Sequence, residues 1–316
     1  MTMWRLFLER SIYGVFTLIL ISMLIFAATN ILPGDAARAI LGRSATPEAV
    51  AALQAQLGLD RPLLTQYTDW VTKILHWDLG NSVVTKGPVW DLVGPRLSNS
   101  LVLLACTSII ALPISFVVGI VMAIRQGKWF DNTANGFLIS TAGVPEFVLA
   151  IVLILLLATH VFHILPPTAL VLPGRTVLQS PQVLVLPVLT LTLAIMPYLS
   201  RLIRASLIDA LASEYVVTAR LKGLPPRIVL LRHALRNSLI PSIQGAALSL
   251  AYILGGAVVV EYIFQYPGLG SALQSAVSQR DLYVIQAIVL IFAFGYILFN
   301  MVADMLTILM TPRLRT

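Results

Sequence analysis

Glu146 is the residue whose surroundings constrain its chemistry most. It stands in Val144-Pro145-Glu146-Phe147, inside a long apolar run. A carboxylate in such a run is costly unless it faces protein or water. Two readings are open. In one, Glu146, Pro145 and Phe147 line an aqueous path that favours cationic or amino-terminal groups, with Pro145 kinking the helix and freeing a carbonyl. In the other, Glu146 makes a hydrogen bond between helices inside a bundle. Glu261 and Asp304 lie near the ends of later apolar runs. They read as interface anchors or helix-pair contacts, because a proton relay needs a chain of carboxylates and histidines through the core. His160 and His163 are three residues apart, which places both on one helix face if the helix continues there. Without cysteine or carboxylate support they read as a polar cap at an interface and not as a metal site.

Other chemistries lack their residues. The sequence holds no G-x-x-x-x-G-K-[ST] or G-x-G-x-x-G phosphate loop, and no H-E-x-x-H or G-x-S-x-G motif. The chain is therefore expected to bind no ATP, metal or other cofactor, and to be no enzyme. The single cysteine, Cys106, cannot form an intrachain disulfide and reads as a small core residue.

The elements that position these groups follow from composition. Hydrophobic residues make up 58% of the 316 residues and charged residues 11%, with a mean hydropathy of +0.89. A soluble domain carries about twice that charged fraction, so lipid must be part of the solvent. The formal charge is +7, but no stacking aromatics interleave with a basic face, and nucleic acid is not an expected partner. Six segments are long enough to span roughly 30 Å of hydrocarbon as helices, which takes about 20 residues each. They lie near 11–31, 99–124, 134–162, 183–203, 240–264 and 284–310. Glu146 then lies roughly 20 Å into the third span, at about 1.5 Å per residue. The apolar run of the first span is too long for a cleaved signal peptide. With the N-terminus inside, 13 of the 21 Lys and Arg residues fall on inner segments, which places both termini in the cytoplasm.

Two connections are unusual. Residues 33–98 form a small polar insertion on the outer face. Thr46-Pro47-Glu48 reads as an N-cap, a proline and an acid opening a helix, Gly58 as its stop, and Pro62 as the start of another. Trp70, Trp77 and Trp90 suit an interface. Residues 204–239 carry Asp209, Glu214, Arg220, Lys222, Arg227, Arg232, His233 and Arg236 among apolar residues at helical spacing. Gly223 ends one helix and Pro225-Pro226 opens the next. The result is a cytoplasmic hairpin that either lies on anionic lipid or docks a partner.

Glu214-Tyr-Val-Val-Thr-Ala-Arg-Leu-Lys-Gly223, followed by Arg232-His-Ala-Leu-Arg-Asn-Ser-Leu-Ile-Pro241, resembles the signature loop of binding-protein-dependent ABC import permeases. More narrowly, it is similar to the B-type subunit of the dipeptide, oligopeptide and nickel group. The likeness runs along almost the whole chain: Leu32-Pro-Gly-Asp35, Leu57-Gly-Leu-Asp-Arg-Pro62, Gln66-Tyr67, Asp78-Leu-Gly-Asn-Ser82, Leu186-Pro187, Arg201 to Ser206, Glu261-Tyr-Ile-Phe-Gln-Tyr-Pro-Gly-Leu-Gly270, Arg280-Asp-Leu-Tyr283, Asn300 to Asp304 and Pro312-Arg313. Departures are Val217-Thr218-Ala219 for the broad Glu-Ala-Ala, Arg236 at the first signature proline, Thr311 before Pro312, and Glu146 where a small or polar residue is usual.

The resemblance implies an all-α polytopic fold of the type I importer class: a first helix and N-terminus over 1–32, a periplasmic helical insertion over 33–98, a permease core over 99–310, and a tail over 311–316. It implies a second homologous permease, two ATPase subunits that hold ATP and Mg, a periplasmic binding protein, membrane lipid, and residence in a bacterial inner membrane. Coupling to the ATPase would fall to Glu214, Tyr215, Thr218, Ala219, Arg220, Lys222, Gly223 and Arg227. An outer gate would involve Glu261, Phe264, Pro267, Gly268 and Gly270. Di- or oligopeptides are the expected substrate, with nickel chelates, opines and oligosaccharides as alternatives. A secondary carrier coupled to protons or sodium is the reading from another class. It would carry inverted repeats and helices broken at mid-depth.

Overall fold

The computed structural model describes residues 3–31, 46–57, 61–171 and 176–310. The Leu32–Asp35 segment, the Gly58 stop, Thr311, Pro312-Arg313 and the tail lie outside the described residues. Those described are almost entirely helical, and their only extended pairing is an isolated bridge between Asn81 and Pro88. The helices are α1 (Met3–Ile31), α2 (Pro47–Leu57), α3 (Leu63–Leu75), α4 (Val89–Ile124), α5 (Trp129–Ala142), α6 (Glu146–Leu153, running on as π-helix to Thr159), α7 (Gln182–Ala212), α8 (Glu214–Leu221), α9 (Leu235–Ile263), α10 (Leu269–Gln279) and α11 (Leu282–Met310). A turn at Pro226–Ile228 and a π-helical stretch, Val229–Ala234, lead into α9.

Among the described residues, five helices are long and apolar enough to cross a membrane, or six if α5 and α6 count as one broken span. Five of the expected spans fall on α1, α4, α7, α9 and α11. The third is corrected. Residues 134–162 are not a continuous span kinked at Pro145, because α5 and α6 meet at 107°. Pro145 occupies the N-cap of α6 with φ −58° and ψ 147°. Its ring disfavours helical geometry at Val144, so the chain stops and restarts in a new direction. The depth of Glu146 along a straight helix therefore has no meaning. The helix also ends before the histidines. His160 caps it and His163 has φ +52°, so the two do not share a helix face.

The described chain divides into two compact units. One comprises Leu101–Tyr266 with the stretch to Ser11 and the stretch from Gly295, and α7 runs through its centre. The apolar window of α7 is 61% buried, against 17% for α1. Leu186, Leu191, Ile195, Leu199, Ile203 and Leu207 are its largest fully enclosed side chains. Gly119 of α4 crosses α7 so closely that a Cβ would lie 2.6 Å from the Ser200 carbonyl oxygen. Small residues at a crossing let helix backbones approach where lipid gives no hydrophobic drive. Arg10 and Asp304 pair at 3.0 Å, which makes Asp304 the expected helix-pair contact.

The other unit comprises Ile12–Ser100 and Pro267–Phe294. Thr46 caps α2 through Oγ1, accepting from the Ala49 amide at 3.3 Å, and α3 follows Pro62 as its spacing indicates. Trp70 is buried against Phe26 and Tyr67, at ring separations of 5.8 and 6.1 Å, while Trp77 and Trp90 are exposed. Two of the segments that carry the family likeness meet here. The buried Asp281 carboxylate accepts the Ser82 hydroxyl and the Val83 amide, the latter at 3.2 Å. Beside it, a Cβ on Gly80 would touch the Tyr283 ring at 3.3 Å. Removing the carboxylate leaves the buried Ser82 hydroxyl without its acceptor. We expect Asp281→Ala to cost about 1–3 kcal/mol, read as a lower unfolding midpoint in detergent, while Asp281→Asn keeps an acceptor and loses less.

Candidate functional site

Two places in the first unit carry chemistry, and α7 serves both. The first is built on the break between α5 and α6. Glu146 opens α6, where an acid suits the positive end of a helix. The Pro145 carbonyl accepts from the Val148 and Leu149 amides, closing the first turn. The Glu146 side chain is half-buried. Its Oε2 accepts the Tyr252 hydroxyl of α9 at 3.1 Å. Its Oε1 lies where a Cβ on Gly256 would come within 3.0 Å, so the glycine makes room for the carboxylate. Phe147 is exposed beside it.

Tyr252 also lines a cavity of about 340 Å³ between α7 and α9, with Ala194, Ile195, Tyr198, Leu248 and Ser249. Both tyrosines are about half exposed. An anionic oxygen, phenol rings and an open apolar wall suit a passing cation or ammonium group. They supply no nucleophile with a base. Among the described residues, no three His, Cys, Asp or Glu side chains stand together as a metal site.

The second place is the hairpin after α7. Ser213 breaks the helix with extended backbone, and α8 runs from Glu214 to Leu221. Gly223 has φ +76°, a conformation that glycine alone adopts without steric cost. Its amide donates to the Arg220 carbonyl at 2.9 Å, and the Leu224 amide donates to Ala219 at 3.3 Å. That pair of bonds is a Schellman stop. Beneath it, Val216, Ala219 and Val229 pack with Ala123, Leu207 and Ala234 in one apolar cluster. Ala219 therefore faces the protein interior. Glu214, Tyr215, Thr218, Arg220, Lys222, Gly223 and Arg227 all lie on the surface.

The segment read as an outer gate is divided between the units. In the first, Glu261 and Phe264 are buried. The Phe264 carbonyl accepts from Ala169 at 2.6 Å. Burial pushes the Tyr266 phenol well up, and the charge of Glu261 adds to the effect. In the second unit, the Pro267 carbonyl accepts from Asn99 at 2.9 Å, Gly268 caps α10, and Gly270 is buried in its first turn. Sequence reasoning missed a two-bond ion pair of the first unit. Arg204 donates from Nε and Nη2 to the two oxygens of Asp131 at 2.6 and 2.7 Å. An acid in the first turn of a helix behind Gly127-Lys128 was the available signal.

Residues 115–316 match the family described as binding-protein-dependent transport system inner membrane component, and residues 3–104 match its N-terminal counterpart. The glutathione transport system permease protein GsiC of Pectobacterium atrosepticum is 36% identical over 313 residues, covering 99% of both chains. The Salmonella typhimurium protein of that name is 35% identical over 308 residues, covering 98% of each. The Escherichia coli K12 protein is 35% identical over 299 residues, covering 95% of each.

Proposed function

The chain belongs to the binding-protein-dependent inner membrane transport components, and on that premise we propose that this permease imports peptides. It is a multi-pass, non-catalytic permease subunit of an ABC importer. In our reading both termini are cytoplasmic, a second homologous permease completes the pore, and a periplasmic binding protein delivers the ligand. Two ATPase subunits hold ATP and Mg. The hairpin at Glu214–Leu221 docks on one of them, with Tyr215, Thr218, Arg220, Lys222, Gly223 and Arg227 as the contact face. ATP closes the ATPase pair, the hairpin moves as a lever, and α7 and α9 rock with it. Such a switch needs only that ATP and ligand each bind one state better than the other. The loop from Glu261 to Gly270 acts at the outer gate.

The observation that carries the peptide reading is the half-buried Glu146 carboxylate, bonded to a tyrosine that also lines a cavity. It suits the amino terminus of a peptide, and the similarity to glutathione permeases points to the same class. The test is transport in proteoliposomes with the partner permease, ATPases and binding protein, offered glutathione, di- and oligopeptides, opines, nickel chelates and oligosaccharides. Peptides should stimulate ATP hydrolysis and accumulate. A response only to another class removes the peptide reading, and transport driven by an ion gradient without ATPases removes the importer reading. Glu146→Gln should slow free-amino peptides about tenfold and spare N-acetylated ones, at equal occupancy of the binding protein. Unchanged preference would show that Glu146 only joins α6 to α9.

A further inference from the structure

The hairpin's apolar cluster explains how movement reaches α4, α7 and α9, since Ala123, Leu207 and Leu235 all belong to it. It includes no residue of α5 or α6. Yet α6 carries Glu146, and a pore group that stays still while the hairpin moves cannot alternate its exposure. One hydrogen bond, from Tyr252 of α9 to Glu146, ties α6 to that movement, and a stiffer connection lies in α5. Asp131, in the first turn of α5, is 2% exposed and takes both donors of the Arg204 fork. The Gly127 amide donates to the same carboxylate at 2.9 Å. Arg204 stands on α7, eight residues before that helix ends at the hairpin. Two parallel charge-assisted bonds fix orientation as well as distance, so a turn or shift of α7 is imposed on α5.

Resting on the importer reading above, we propose that Asp131 and Arg204 are positioning residues that carry the hairpin's stroke from α7 into the α5–α6 pair. Neither touches substrate or ATP. Around the single Tyr252–Glu146 bond, the apolar contacts of α6 with α7 and α9 permit sliding; the two-bond fork does not.

The experiment compares peptide moved per ATP hydrolysed in the complete reconstituted complex. Asp131→Asn and Arg204→Lys should each lower that ratio about fivefold. ATP hydrolysis stimulated by the loaded binding protein should persist, and the complex should still assemble. The reversed pair, Asp131→Arg with Arg204→Asp, should recover part of the ratio. A wild-type ratio in both single variants overturns the inference. Loss of assembly in both overturns it too, because the pair then serves stability alone. If the wild-type complex moves no peptide on ATP, the importer reading falls first and the clamp falls with it.

Discussion

Gly223→Trp should abolish coupled transport while leaving the permease folded. A Cβ at Gly223 meets nothing within 4 Å inside this chain, so the chain itself has space for a side chain. The backbone charge is modest, because a residue other than glycine at φ +76° loses about 1–2 kcal/mol. The main loss falls on the docked complex. Tyr215, Arg220, Lys222 and Gly223 stand on the surface above an apolar cluster, and under the proposed docking an indole between that surface and the ATPase would hold the two apart. About 3 kcal/mol of lost docking energy lowers occupancy of the coupled complex roughly 150-fold. Transport should fall by that order, with ATP hydrolysis no longer responsive to the loaded binding protein. Gly223→Ala isolates the backbone term and should lose at most about 5- to 30-fold. Wild-type transport by Gly223→Trp would mean that the hairpin docks no partner at this point.

The second large effect is on folding. Gly119→Leu should lower the unfolding midpoint of the permease more than any change at its surface. In an open helix, replacing glycine with a larger residue gains up to about 1 kcal/mol from propensity alone. At Gly119 the sign reverses. A Cβ there lies 2.6 Å from the Ser200 carbonyl oxygen and 2.8 Å from the Ile203 Cβ. The nearest atom is backbone and cannot rotate aside, so α4 must lift from α7. Overpacking of this kind costs about 1–3 kcal/mol, and the bulk of leucine puts it at the upper end or beyond. Gly136 of α5 is the control, since a Cβ there meets nothing within 4 Å. Gly136→Ala should be neutral or stabilising by up to about 1 kcal/mol. A Gly119→Leu protein as heat-stable as wild type would show that the crossing is loose in the membrane.

Much of this fold is legible because lipid permits few solutions. Long uncharged runs must become helices, and α1, α4, α7, α9 and α11 fall on the runs that hydropathy marks. The hairpin is equally legible, since Gly223 and Pro225-Pro226 give a stop and a start with one geometry each. Pro145 carries less information. A proline inside an apolar run signals a kink or a break, and the choice depends on neighbours. Here Pro145-Glu146 repeats the Pro47-Glu48 pair that opens α2, although Pro145 is itself the N-cap and no threonine precedes it. Read that way, the break was available, though not the 107° between its arms. The pairing of Ser82 with Asp281 lies beyond local pattern. The two are 199 residues apart, and each segment alone reads as a polar turn. The same holds for Asp131 and Arg204, which look like two surface charges until α5 and α7 are set side by side.

The pairing of Asp131 with Arg204 also bears on how the chain is made. The two arms of the broken span, Trp129–Ala142 and Glu146–Thr159, are each about 21 Å long. Neither reaches across roughly 30 Å of hydrocarbon, so neither is a complete insertion signal for the translocon. The first arm also carries an acid whose partner is synthesised 73 residues later. At about 5–20 residues per second, that acid waits several seconds for its arginine. The polar contacts at the start of this broken span are therefore complete only after translation has passed it by the length of α7.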